Sequence, residues 1–336
     1  MRSRLIILCL LTSVLLSACG RATALPQTPL PTDTAVSVPT ETATPVTPLV
    51  ILILPADMDA EASNLYQKTV YDLAQASGMR YQLRNRLSPD ELEPGLKVVI
   101  ALPPDPGIAA LAAAAPETQF LTINIPGITA GGNISVLGNN TQMDIAAFLA
   151  GYTAAMIADD YRTGMLMPKG SNDAILAFNA FANGRTYYCG ICRQIYFYPW
   201  GFPQYIEIPA DEDKDNYDAY ADVLILQYKV QTIFLHPDIY TTDLANYIGT
   251  TGATMIGTIS PEQRPAGWIM TIQPDTIKAI QIAWTSLVNG QGGMTVQAPL
   301  GLYDVDPSIL TPGKQRLVQQ VLDDLQAGRI HTGVGP

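Results

Sequence analysis

Val50-Ile51-Leu52-Ile53-Leu54 is the stretch that decides the fold class. It is a continuous apolar run with no polar alternation, which is how a strand reads when both of its faces are covered. Such strands belong to parallel sheets with helices on either side. The next segment agrees. Residues 62–77 place Leu65, Tyr66, Val70 and Leu73 at helical spacing, and Gly78 is a natural stop.

Outward from this strand and helix the same rhythm continues. Strands are expected at residues 97–102, 119–125, 163–167, 194–198, 205–208, 232–235, 254–257 and 267–272. Helices are expected at 107–115, 143–158, 172–182, 216–228 and 242–249, from Pro274 to 288, and at 314–326. This alternation predicts an α/β protein with mostly parallel sheets. The units are too many for one comfortable sheet, so two doubly wound lobes are expected. Ligands in such folds sit beyond the carboxyl ends of the strands, often between lobes.

The N-terminus reads as an export signal. Arg2 and Arg4 precede an apolar run over residues 5–16, the length of a signal core and too short to span a bilayer comfortably. Leu16-Ser17-Ala18-Cys19 resembles the bacterial lipobox, in which the Cys is diacylated and becomes the first residue after cleavage. An ordinary signal peptide cut after Ala18 is the alternative. Residues 1–18 are thus expected to be a lipoprotein signal peptide, and residues 19–47 the acylated Cys19 with its tether. Residues 20–47 hold eight Thr and five Pro and too little apolar surface to offset their ordering entropy. At about 3.1 Å per residue they can hold a domain several tens of ångströms from a membrane. The expected location is the extracytoplasmic face of the cell membrane, lipid-anchored.

Composition excludes some partners. The formal net charge is −11, and losing Arg2 and Arg4 with the leader makes it −13. An acidic surface disfavours nucleic acid and anionic lipid. Past Cys9 and Cys19, the remaining cysteines are Cys189 and Cys192. Outside the cytoplasm they suit a disulfide closing a tight loop; free thiols, or a redox or metal pair, are the other readings. Only His236 and His331 occur in the chain, so a zinc site lacks ligands, and no metal or cofactor is expected. There is no P-loop, G-x-S-x-G or H-E-x-x-H, and no enzyme is expected.

Several segments resemble the basic-membrane-protein (BMP) family of ABC-transporter substrate-binding lipoproteins, which includes purine-nucleoside receptors. Residues 113–120 (AAAPETQF) resemble its helix-to-strand passage. Phe148-Leu149-Ala150-Gly151-Tyr152-Thr153-Ala154-Ala155 resembles its FLAGY-x-AA helix, the most specific match. Residues 178–184 are similar to its F-x-x-F-x-x-G stretch, and residues 310–330 to its closing helix and G-[KR]-I ending. The resemblance spans most of residues 50–330 in matching order. It implies a type I periplasmic-binding-protein fold, two lobes joined by a hinge of three crossing strands. Lobe one would hold 48–138 and 270–292, and lobe two 139–269 and 293–336. It also implies a small-molecule ligand, a nucleoside in part of the family, an ABC transporter permease as partner, and a monomer.

The ligand-facing positions depart from the family pattern. The family's Asp-x-Ser-Phe-Asn motif corresponds to the stretch from Asp57 to Asn64, where Asp59 and Asn64 match the ends and the Phe is missing. Asp59 either touches ligand or caps the following helix. Asn124 stands where the family's third strand ends in Asp. His236-Pro237-Asp238-Ile239-Tyr240 replaces a Gly-rich loop, so His236 or Tyr240 either stacks a ligand ring or belongs to a turn. Glu262 is the candidate for gripping adjacent hydroxyls, or is an exposed loop acid. Trp200 and Trp268 are either packing residues or ligand platforms. The leading expectation is a solute-binding lipoprotein feeding an ABC importer. The alternative is a ligand-responsive sensor working through a membrane signalling partner.

Overall fold

The structure, a computed structural model, describes residues 46–138 and 142–335. The signal segment, Cys19 and nearly all of the tether lie outside them. In chain order the first half runs β1 (Leu49–Ile53), α1 (Ala60–Ala76), β2 (Arg80–Arg84), β3 (Leu96–Ala101), α2 (Ile108–Ala114), β4 (Gln119–Ile123), β5 (Ile134–Leu137) and α3 (Met143–Ile157). Next come β6 (Thr163–Pro168), α4 (Asn172–Cys189), β7 (Gln204–Ile208), α5 (Tyr217–Asp222), β8 (Thr232–Leu235), α6 (Thr242–Thr250), β9 (Thr254–Gly257) and β10 (Trp268–Pro274). The chain closes with α7 (Thr276–Val288), β11 (Thr295–Val296), β12 (Leu300–Tyr303) and α8 (Pro312–Gln326).

Two six-stranded sheets result. The first has the order β2-β1-β3-β4-β5-β11 and is parallel throughout. The second has the order β7-β6-β8-β9-β10-β12, parallel except that β12 runs against β10. The apolar run at 50–54 falls on central strand β1, which is buried at all five positions. Successive side chains point to opposite faces. Val50 and Leu52 join Val98, Ile100 and Leu121 against Val70 of α1 and Ile280 and Trp284 of α7. Leu49, Ile51 and Ile53 join Val99 and Phe120 against Ile108 and Leu111 of α2. The second sheet is covered likewise, by α3, α4 and α8 on one face and α5 and α6 on the other. Each fully buried aliphatic side chain contributes about 1.5–3 kcal/mol. All four cores draw on residues 49–325, so the unit Val46–Pro336 folds around its own residues.

The segments that carried the family resemblance have a packing role. A Cβ added at Gly151 would lie 1.9 Å from the Phe181 carbonyl oxygen, and one at Gly184 would lie 1.8 Å from that of Phe148. Two glycines, one in the FLAGY stretch of α3 and one ending the F-x-x-F-x-x-G stretch of α4, form a reciprocal notch that lets the helix backbones touch. This explains why α3 is buried from Ala146 to Ala155.

The chain passes between the sheets three times: from β5 to α3, from β10 to α7, and from β11 to β12. Every passage joins carboxyl-terminal strand ends, so those two edges face one another. The passages are laced together. Gln142 Nε2 donates to the Ala298 carbonyl at 3.2 Å, and the Asp275 amide donates to that of Pro299 at 2.7 Å.

Several expectations shift. Strands β2, β5, β11 and β12 were not legible as apolar runs; β2 is an edge strand with no buried position and β11 has two residues. Residues 194–198 form no strand but part of a long loop before β7. Pro274 ends β10, and Asp275 caps α7 by accepting the Lys278 amide at 2.8 Å. All of β10 pairs in the second sheet and β11 in the first, so the returns fall near 275 and 297 rather than at 270 and 293. The physical reason is pairing: Gln273 and Pro274 are held by β12.

Candidate ligand cleft

The site is built from loops at the facing strand ends. On lobe one, Asp59 caps α1, its Oδ1 accepting the amides of Glu61 at 2.9 Å and Ala62 at 3.0 Å. The capping alternative therefore describes its local role. Asn64 is exposed on the first turns of α1. Asn124 stands exposed directly after β4, at φ 52°, with its amide held by the Leu137 carbonyl at 2.8 Å. Asn tolerates this left-handed backbone better than most residues.

The ends of β1 and β2 enclose an open recess of about 740 Å³, lined by Pro55, Ser63, Arg84, Asn85, Arg86 and Glu91 among others. Arg84 is held in place, its Nη2 donating to Gln82 Oε1 at 2.6 Å and to Glu93 Oε1 at 2.9 Å. The Gln82 amide, then the guanidinium groups of Arg80 and Arg84, keep the Glu93 carboxyl below its ordinary range. Arg86 is exposed at the same rim. Sequence reasoning missed this cationic lip because β2 carries no apolar run; the alternation of Tyr81 and Leu83 with charged neighbours was the available signal.

On lobe two, Asp304 follows β12 at φ 50°. Its Oδ2 accepts the hydroxyls of Ser260 and Thr271, each at 2.6 Å. Trp268 Nε1 donates in turn to Thr271 Oγ1 at 3.1 Å. Tyr240 packs edge-on against Trp268, ring centroids 6.0 Å apart. Burial raises the Tyr240 phenol, and the carboxylates of Glu262 and Asp304 push the same way; Thr242 pulls it down, without a hydrogen bond of full geometry. The buried hydroxyls of Tyr240 and Thr258 have no partner among the described residues. Glu262 is exposed on the loop two residues past Ser260, near enough for its carboxylate to act on the Tyr240 phenol. No sequence signal marked Asp304, whose partners lie 33 and 44 residues away.

His236 follows β8 at the same carboxyl edge but is enclosed. It is only 4% exposed, and its Nδ1 accepts the Asp238 amide at 3.3 Å, capping the turn that begins at Pro237. Burial lowers its pKa, against the opposing pull of Asp238 and Asp173. In this arrangement the imidazole caps the turn, and little of its ring face is open. Trp268 is fully buried and belongs to the core, and Trp200 packs on Tyr228.

The hinge is polar. Tyr66 of α1 meets Thr276 at the start of α7, hydroxyl to hydroxyl, at 2.7 Å. Burial, then the neighbouring Asp275 carboxylate, drives the Tyr303 phenol far above its ordinary range.

The architecture is the type I periplasmic-binding-protein fold. No family model matches the sequence, and no curated protein matches it. Solved structures similar to it include a transcriptional activator of the comK gene from Bacillus halodurans, 10% identical, with a TM-score of 0.47, covering 82% of this chain and 96% of that one. Another is an ABC transporter solute-binding protein from Aeropyrum pernix K1, 15% identical, TM-score 0.41, covering 85% and 93%. A third is a LacI-family transcriptional regulator from Enterococcus faecium with bound ribose, 13% identical, TM-score 0.37, covering 77% and 99%. The two polar clusters stand beside the sheet edges that the three passages join. The pair Cys189–Cys192 forms a disulfide, Cα atoms 4.8 Å apart, outside that cleft at the end of α4.

Proposed function

We propose that this chain is an extracytoplasmic receptor that closes its two lobes on a small polar solute and delivers it to an ABC importer, held at the membrane by an acylated Cys19. The observation that carries the reading is the opposition of unlike walls. Arg84, Asn85, Arg86 and Asn124 stand on one strand edge, and Tyr240, Ser260, Glu262 and Asp304 on the other. A solute with both donor and acceptor groups bridges such walls, and closing them excludes water from every contact. The lipobox-like leader and the Thr/Pro-rich segment 20–47 support the anchored, exported placement. The order of BMP-like segments along the chain supports membership of that family, and nucleosides are one ligand class to test. With His236 enclosed, Tyr240, beside the polar cluster, is the ring we favour for stacking a base.

The test is calorimetry and thermal unfolding of residues 46–336 with nucleosides, sugars and amino acids. A true ligand at a hundred times its dissociation constant adds about 2.7 kcal/mol of stability. A panel in which no compound raises the unfolding temperature refutes the receptor reading.

A further inference from the structure

The least expected surface of the molecule lies far from the cleft. Between α4 and β7 the chain makes a loop over residues 190–203 in which Ile191 is 95% exposed, Phe197 92% and Ile195 86%. Single exposed apolar residues are ordinary, but three nearly bare large ones on one loop are not. The exposure is built. The Cys189–Cys192 disulfide ties the loop's start. The amides of Ile195 and Tyr196 donate to the two carboxylate oxygens of Asp160 at 3.0 and 3.1 Å. Behind them Trp200 Nε1 donates to the Tyr228 carbonyl at 3.1 Å, and Phe202 is buried in the lobe-two core. Backbone polar groups are thus turned inward while the apolar tips point out, although a core lies adjacent.

We propose that this loop is a membrane-contact site, its apolar tips entering the interface of a lipid bilayer. Three features favour lipid over a protein partner. First, each tip is almost wholly bare, so the three do not pack on one another to make a shared apolar face. Second, the tips stand among Tyr196, Tyr198 and Trp200, the amphipathic rings that settle at headgroup level. Third, the acidity of the chain, net charge −11, is offset locally: residues 174–206 contain no Asp or Glu, exposed Arg193 sits between the tips, and Arg162 lies beside the Tyr198 ring, against the nearby carboxylates of Asp159 and Asp160, the latter engaged by the loop amides. The amides of Ile195 and Tyr196 carry their acceptor with them, which lowers the cost of taking them from water.

The location is compatible with the cleft's work. The loop leads into the amino end of β7, at the pole of lobe two opposite the facing strand ends, so insertion leaves the cleft open. Val46 enters lobe one at the amino end of β1, the other pole. Twenty-seven residue steps separate Cys19 from Val46, and that length of chain reaches at most about 95 Å. A compact unit of this size is roughly 50 Å across. An anchor at Cys19 therefore leaves enough chain for the loop to touch the same bilayer.

The test is co-flotation of residues 46–336, which lack the leader, with vesicles of mixed phosphatidylcholine and phosphatidylglycerol. The comparison is with a variant carrying Ile191→Ser, Ile195→Ser and Phe197→Ser. These side chains bury nothing in the fold, and circular dichroism should confirm unchanged structure. The wild-type unit is expected to float, and the variant to partition about tenfold more weakly or less. Leu65→Ser, at an exposed apolar site on lobe one, should float like wild type. Failure of the wild type to float overturns the proposal, as does equal flotation of the triple variant. Light scattering that shows a wild-type dimer dissolved by the same three changes, without flotation, assigns the loop to a second copy instead and also overturns it. None of these outcomes depends on whether the cleft binds a solute.

Discussion

His236 shows how burial redirects a residue whose chemistry invites a functional reading. Its ring is enclosed and its pKa lowered by that enclosure, so the folded state disfavours the proton. A depressed folded pKa contributes stability above the unfolded value of about 6.5, lost as pH falls through the folded value. Unfolding free energy should therefore decline as pH drops below about 6.5, before the carboxylates begin to titrate. His236→Gln should flatten that portion of the denaturation-versus-pH curve. At the same scale, Asp59→Ala should cost about 1 kcal/mol by loss of the N-cap and leave ligand affinity unchanged, as measured by urea unfolding and calorimetry side by side. Arg86→Ala should do the reverse: near-neutral stability, with affinity for a ligand found in the panel about tenfold weaker, the scale of one charge-assisted hydrogen bond.

Among the elements, α3 and α4 hold the strictest requirement. Their backbones meet at Gly151 and Gly184, where any Cβ would fall within 2 Å of a carbonyl oxygen. Those oxygens belong to helix backbone and cannot rotate away. Gly151→Ala should therefore cost at least the 1–3 kcal/mol typical of overpacking, read as a lowered midpoint of chemical denaturation. Alanine normally stabilises a helix interior by up to about 1 kcal/mol over glycine, so a loss would identify the notch rather than helix propensity as the cause. The element scale also shows what pattern reading missed. Edge strand β2 and two-residue β11 present no apolar run because neither is covered on both faces. Residues 194–198 alternate like a strand, yet their amides are taken by Asp160 instead of a neighbouring strand.

For the whole molecule, three laced passages act as the hinge, and the polar walls lie on either side of it. A ligand that bridges Arg86 and Glu262 should lower the maximum dimension seen by small-angle X-ray scattering, and a ligand touching one wall should not. That comparison separates closure from simple binding. The hinge carries Asp275, Tyr303, Tyr66 and Thr276 in one polar cluster. Closing motions must preserve these contacts or exchange them for others.

What the amino-acid order determined alone was the alternation of buried strands and helices, hence two mostly parallel sheets. This is a local property: an unbroken apolar run such as 50–54 announces its environment within a few residues, whereas the contact of Gly151 with Gly184's helix came only with the structure. What only the tertiary structure decided was which polar groups share a wall. Asp304 joins Ser260 and Thr271, Arg84 and Arg86 join Ser63, and His236 is enclosed as the cap of its own turn. Polar residues carry no periodic signature, and their partners are chosen by strand order and loop geometry, which arise from long-range packing.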